Sequence, residues 1–174
     1  MDEHSPDPDA SFGHKSKQKK FYGYKEHIAQ DYDSQMITEL EVTPGNESDS
    51  KHLLVSETSP PETVVADKAY DSTDNHQRLS ERKIADHILV KKNRSNYCKE
   101  QNKEWSRVRA LIESKNSELK NHHGLSRCRY WGLAKTKIQA FLTAIVVNLK
   151  RFVKYALGIC SPPNISTGVL CPLT

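Results

Sequence analysis

Arg109-x3-Glu113-x6-Lys120 sets one acid between two cations at helical spacing. At about 100° per residue, Glu113 falls about 40° past a full turn from Arg109, and Lys120 about 20° short of two further turns. The spacing predicts three side chains on one helical face. Upstream, Val64-Val65-Ala66-Asp67-Lys68 is a short apolar run closed by an acid, the pattern of a buried strand with a carboxylate at its C-terminal tip. Two carboxylates from different elements, flanked by cations, are the parts of a divalent-metal phosphoryl-transfer site acting on nucleic acid. Each part also has a plainer reading. Asp67 fits a helix N-cap or a turn. Glu113 fits a surface ion pair with Arg109, worth under about 1 kcal/mol. Arg109 and Lys120 fit phosphate contacts, orientation of Glu113, or a solvated helix face.

Periodicity predicts the elements that must position these groups. Residues 21–30 carry strand-forming aromatics, and residues 36–43 alternate with Thr38, Leu40 and Val42 on one face. Asp31-Tyr32-Asp33-Ser34 between them is a turn, so the pair predicts an antiparallel hairpin. A short helix is expected over 49–56, a buried strand over 63–66, a helix over 72–83 and a strand over 87–90. Residues 91–100 predict a basic loop, and 104–119 a helix with Trp105, Val108, Leu111, Ile112 and Leu119 as its apolar stripe. Asn121 to Gly124 breaks it. A last amphipathic helix is expected over 133–157, carrying Lys135, Lys137, Lys150, Arg151 and Lys154. The order predicts an α/β fold with a mixed sheet. Residues 1–20 make a polar lead-in, 21–157 the domain and 158–174 a loose tail.

The chain has 174 residues, enough for one domain with its own core. Its net charge of +4 conceals an asymmetry: residues 91–154 hold 16 Lys/Arg against four Glu, a net of +12, which leaves about −8 elsewhere. A block that basic suits a polyanion, and equally a solvated helical face. Arg127, Arg129, Tyr130 and Trp131 mix cations with rings, as nucleic-acid surfaces do, although core packing of the two rings is an equal alternative. The four cysteines form no Cys-x2-Cys pair, which argues against a zinc ribbon and for a reducing compartment. His122 and His123 are adjacent and point apart on a helix end, so they predict no metal site. Gly13 and Gly23 make no phosphate cradle. The most apolar stretch, Ile138 to Leu149, is too short to span a membrane.

Four phrases, in order, resemble the catalytic domain of bacterial insertion-sequence transposases of the DDE type: DPDASFGHKSKQKKFYGYKEHIAQDYDS, EVTPGNESDSK, PETVVADKAYDS and ESKNSELKNHHGLSRCRYWGLAKTKIQAFLTAIVVNLKR. The resemblance runs from about Asp7 to Leu157 and implies an RNase H-like fold, a bacterial cytoplasmic setting near the nucleoid, DNA as partner and Mg²⁺ or Mn²⁺ as cofactor. It implies that Asp67, in Ala66-Asp67-Lys68-Ala69-Tyr70, is the second catalytic acid, and that Glu113 is the third, in the signature Tyr-x2-Arg-x3-Glu-x6-Lys. Arg109 and Lys120 match that signature, while Ser106 stands where the family has Tyr and Ala69 where it has Gly. The cations Arg109, Lys120, Arg127, Arg129 and Lys135 are the expected DNA contacts. The family's first Asp belongs on a central strand just before the Asp-Pro-Asp-Ala phrase, and residues 1–6 hold no apolar strand. Asp2, Asp7, Asp9, Asp31 and Asp33 lie in polar or turn segments and are poor replacements. The expectation is an N-terminally truncated transposase whose first central strand is missing, with severe loss of cleavage. A DNA-binding remnant that dimerises with an intact transposase is the alternative, and a fragment with unpaired strand edges that aggregates is a third.

Overall fold

Twelve residues, Lys20–Asp31, form the long strand β2 around which half of the sheet is built. The computed structural model describes residues 7–14 and 18–159, and the backbone of residues 169–170. Asp2 and most of the expected tail lie outside the described residues. β2 pairs antiparallel with β3 (Ile37–Pro44), from Tyr24 opposite Pro44 to Gln30 opposite Ile37. The register shifts at Ala29/Gln30. Such a shift redirects side chains, because strand residues alternate between faces. Thr38 is accordingly exposed and its hydroxyl donates to the Ala29 carbonyl at 3.3 Å. The expected inward face of β3 is kept by Leu40 and Val42 alone.

The segment expected as lead-in contains a strand, β1 (Ser11–His14), paired antiparallel with the start of β2. A Cβ on Gly13 would sit 2.4 Å from the Gly45 carbonyl, so only glycine lets β1 lie beside the exit of β3.

The other half is parallel. β4 (Thr63–Ala66) pairs with β5 (Ala85–Ile88) through the crossover helix α1 (Thr73–Glu81), whose N-cap Ser72 accepts from the Asn75 amide. β5 sits two residues earlier than the sequence suggests. The Asn102 side chain bonds both the amide and the carbonyl of Val90, at 3.1 and 2.9 Å, and so withdraws that residue from the ladder. The helix expected at 49–56 is a single 3-10 turn, Asp49–Lys51. Leu53 and Val55 are instead buried outside any helix, and their segment's carbonyls are taken by the guanidinium groups of Arg78 and Arg82. α2 (Lys99–His122) starts five residues before its expected position and α3 (Leu133–Ala156) matches it closely.

Between β2 and β4 lies β6 (Val169–Leu170), antiparallel to β2 and parallel to β4. Helices cover both faces. On one face α1 and the 53–55 segment pack over Ala29, Val64, Ala66, Tyr70 and Ile88. On the other, Ala140, Ala144 and Val147 of α3 and Leu119 of α2 pack over Ile28 and Val42. Ile112 of α2 sits against Val65 of β4, flanked by Trp105 and Val108. The result is the expected α/β architecture with a mixed sheet and flanking helices, consistent with an RNase H-like domain. Among the described residues no helix is long and apolar enough to cross a membrane.

Candidate active site and the neighbouring cavity

Asp67 emerges directly from buried β4, where Val64 and Ala66 are fully enclosed. Its Oδ1 accepts from the Lys68 amide at 2.7 Å and caps the one-turn 3-10 helix Lys68–Tyr70. The plain capping role is therefore real, and it leaves Oδ2 for another partner. That turn is held at its far end. Tyr70 is completely buried, with its hydroxyl 3.1 Å from Nδ1 of His27. Asp71 accepts from the Lys91 amide at 2.7 Å and pairs with Arg94 at 2.9 Å and His76 at 3.0 Å. Burial pushes the Asp71 carboxyl up, but the Lys91 amide, His76 and Arg94 outweigh it and hold its pKa below the usual range. His76 also meets Asp86, and although burial opposes its charge, the two carboxylates raise its pKa. Ala69, where the resemblance has Gly, is not among the residues with positive φ, so this backbone has no need of glycine there.

α2 brings the second carboxylate. Its packing through Ile112 on Val65 sets Arg109 and Glu113 beside the tip of β4. Arg109 reaches Asp67 Oδ2 with Nη1 at 3.1 Å and Glu113 Oε1 with Nη2 at 2.8 Å. One guanidinium thus holds both carboxylates, while its buried Nε has no hydrogen-bond partner. Ser106 turns its hydroxyl back onto the Asn102 carbonyl of its own helix. Among the described residues no three His, Cys, Asp or Glu side chains cluster as a metal site. Three candidate third acids are engaged elsewhere. Asp7 takes the Gly132 amide and the Tyr24 hydroxyl, Asp9 the Leu133 amide, and Asp31 the Ser34 amide. Two carboxylate pairs of lone pairs in an oxygen-donor setting do suit Mg²⁺ or Mn²⁺, which takes few protein ligands and keeps its waters.

Lys120 does not join Arg109 and Glu113. Two turns further along α2, it lines a cavity of about 460 Å³ between β2 and the α2–α3 loop. Arg127 lines the same cavity, and Tyr130 and Trp131 stand at its rim, 55% and 66% exposed, so the two rings are surface groups and not core. Arg129 and Lys135 border a shallower groove beside it, at the start of α3.

Two acids line this cavity: Asp7, read in the sequence only as a poor metal ligand, and Glu26, which the sequence reading missed. Asp7 is buried and accepts from the Gly132 amide at 3.0 Å, the Tyr24 hydroxyl at 2.8 Å and the Asp9 amide at 3.2 Å. Burial raises its pKa, but these bonds outweigh it and leave the group more acidic than usual. Gly132 adopts φ +94°, a conformation that suits glycine and presents its amide to Asp7 at the entrance to α3. Glu26 is different: burial pushes its pKa up to about 7, against the opposing pull of Lys120. The available signal was parity. Tyr22, Tyr24, Glu26 and Ile28 share a strand face, and an acid on that face faces the core.

Comparison with known proteins identifies the family. The transposase DDE domain family matches residues 2–149. The chain is 34% identical over 133 residues to the transposase for insertion sequence element IS1106 from Neisseria meningitidis serogroup B, covering 73% of this chain and 46% of that protein. It therefore spans about half the length of the curated relative it matches. No solved structure matches. A buried strand tipped by Asp67, a helix presenting Glu113 one guanidinium away and a match across most of the chain place this protein in the DDE transposase domain family.

Proposed function

We propose that the chain acts in DNA transposition, presenting Asp67 and Glu113 as two acids of a divalent-metal strand-cleavage and strand-transfer centre. The observation that carries this reading is Arg109, which draws carboxylates from β4 and α2 onto one cation. A structural ion pair needs only one of them. Mg²⁺ or Mn²⁺ held by the pair would supply Lewis-acid activation of a nucleophile and stabilisation of a leaving oxygen. The protein's own groups position the carboxylates from a rigid strand tip and a packed helix, and offer phosphate contacts through Lys120, Arg127, Arg129 and Lys135. Because no third carboxylate joins the pair among the described residues, full activity requires a further acid. That acid can come from another part of a longer protein or from an intact transposase bound to this chain.

The same observation favours a second reading, in which the chain binds DNA without cutting it. Both readings predict DNA affinity that falls steeply with salt, with a slope of about −0.9 per phosphate contact. They separate on metal chemistry. Mn²⁺ binding should weaken at least tenfold in Asp67→Asn and Glu113→Gln, with DNA affinity unchanged. Equal Mn²⁺ binding in wild type and both variants would remove the metal-centre reading. Mg²⁺-dependent nicking of supercoiled plasmid by the wild type alone would remove the non-cleaving one.

A further inference from the structure

The largest anomaly on the surface is α3. Its inner face is fully employed: Thr136, Ala140, Ala144 and Val147 are buried, and the Asn148 side chain clasps both the amide and the carbonyl of Ile37 at 2.8 Å. Its outer face is equally apolar and, among the described residues, is left open to solvent. Ile138, Leu142, Ile145, Leu149 and Phe152 are each 58–59% exposed. Phe141, Val146 and Val153 flank them at 45–48%. Soluble monomers rarely expose so large a contiguous apolar patch.

The spacing specifies what covers it. Ile138, Leu142, Ile145, Leu149 and Phe152 are separated by steps of four, three, four and three, the alternation that keeps a seam facing a partner helix. No charged residue lies between Ile138 and Leu149, so nothing in the centre opposes pairing. About half of each of eight large side chains is open, on the order of 700–800 Å² per copy, close to the share of a standard specific interface. The seam is symmetric about Ile145. An antiparallel partner sets Ile145 against Ile145, Leu142 against Leu149 and Ile138 against Phe152. Antiparallel packing also places each helix's N-terminus beside the partner's C-terminus, which the helix dipoles favour. We propose that the outer face of α3 is a self-association surface on which α3 of a second copy packs antiparallel, with a twofold axis at Ile145. This inference stands apart from the metal-centre reading, since it uses no residue of that site.

Sedimentation equilibrium of the full chain tests it. The expected mass is twice 19.8 kDa at micromolar concentration. Ile145→Glu, and separately Leu142→Glu, should weaken the dimer at least a hundredfold with unchanged helical circular dichroism. Ile138→Glu should do so less, being peripheral. In a background with the native cysteines changed to serine, Ile145→Cys should form a disulfide-linked dimer and Ile138→Cys should not. A monomer at 100 μM, a dimer indifferent to both central substitutions, or efficient Ile138→Cys crosslinking would each overturn the proposal. So would a monomer that floats with anionic lipid vesicles through this face, because the occupant would then be a membrane surface. Mn²⁺ binding by the monomeric variants would be unaffected, so failure here is distinguishable from failure of the proposed function.

Discussion

Two regions of this molecule hold paired carboxylates and treat them in opposite ways. At the strand tip, Asp67 and Glu113 are partly open to solvent and share a single cation, each keeping lone pairs available. In the cavity beside β2, Asp7 is saturated by two amides and a phenol, and Glu26 is half-buried beside Lys120 with its pKa pushed up to about 7. An acid whose lone pairs are all spent on neutral donors ties chain segments together. An acid left with spare lone pairs and a displaceable cation is able to receive a ligand. Type and spacing in sequence do not distinguish the two; the count of committed lone pairs does.

The comparison can be broken most decisively at Asp7. Asp7→Ala strands the Gly132 amide and the Tyr24 hydroxyl in a buried setting and should cost about 3 kcal/mol, measured by urea unfolding. A loss no greater than that of Asp67→Asn would erase the distinction between the two regions. Glu26→Gln should act in the other direction. A carboxyl whose folded pKa is raised stabilises the fold least once pH exceeds that value, so the folded protein loses stability as pH rises from about 4.5 through about 7. The amide removes this loss and should raise stability by about 2 kcal/mol at pH 8, with little effect at pH 4.5. A gain independent of pH would mean that Glu26 is not held in this way.

At the strand tip the effects on stability should be smaller. Asp67→Asn and Glu113→Gln each loosen one partly exposed pair and should cost under about 1 kcal/mol, while altering Mn²⁺ binding far more. A cost above 3 kcal/mol would reclassify the pair as structural. The smallest expected effect lies in the anchor behind Asp67. His76 has a raised folded pKa, so its contribution is complete below the unfolded value near 6.5 and is lost as pH rises through the folded one. His76→Phe should flatten that part of the stability profile. An unchanged slope between pH 6 and 8 would show that Asp71 is held by Lys91 and Arg94 without help.

The elements that carry the strand-tip site were legible because each obeys one local rule. β4 is a short apolar run, and α2 and α3 are long and periodic. The contact between Asp67 and Arg109 was not legible, since it depends on how α2 docks across β4, which Ile112 and Val65 decide. Lys120 shows the limit of angular arithmetic. It shares a helical face with Glu113, yet two turns of helix, about 10 Å, carry it to a different cavity. Local competition explains other departures. Asn102 claims the backbone of Val90, and Arg78 and Arg82 claim the carbonyls of the segment expected as a helix. Distant side chains that replace backbone partners leave no periodic trace. β1 was hidden by its polar neighbours, and the asymmetry of α3, one apolar face employed and one open, looks in sequence like a single buried helix.

The sheet's hydrogen-bonded continuity passes through a two-residue rung. Among the described residues, β6 pairs with β2 at Gln30 and Asp31, and with β4 at Val64 and Val65. The antiparallel and parallel halves are therefore also joined by the core over Ala29, Val64 and Ala66 and by α2, which lays Ile112 on one half and Leu119 on the other. In mechanical terms α2 is a splint across a narrow weld. If the weld opens, Asp67, Arg109 and Glu113 keep their geometry, because β4 and the middle of α2 pack on each other through Val65 and Ile112. Amide exchange should then report two cooperative blocks, with the cavity of Asp7 and Glu26 in one and the carboxylate pair in the other.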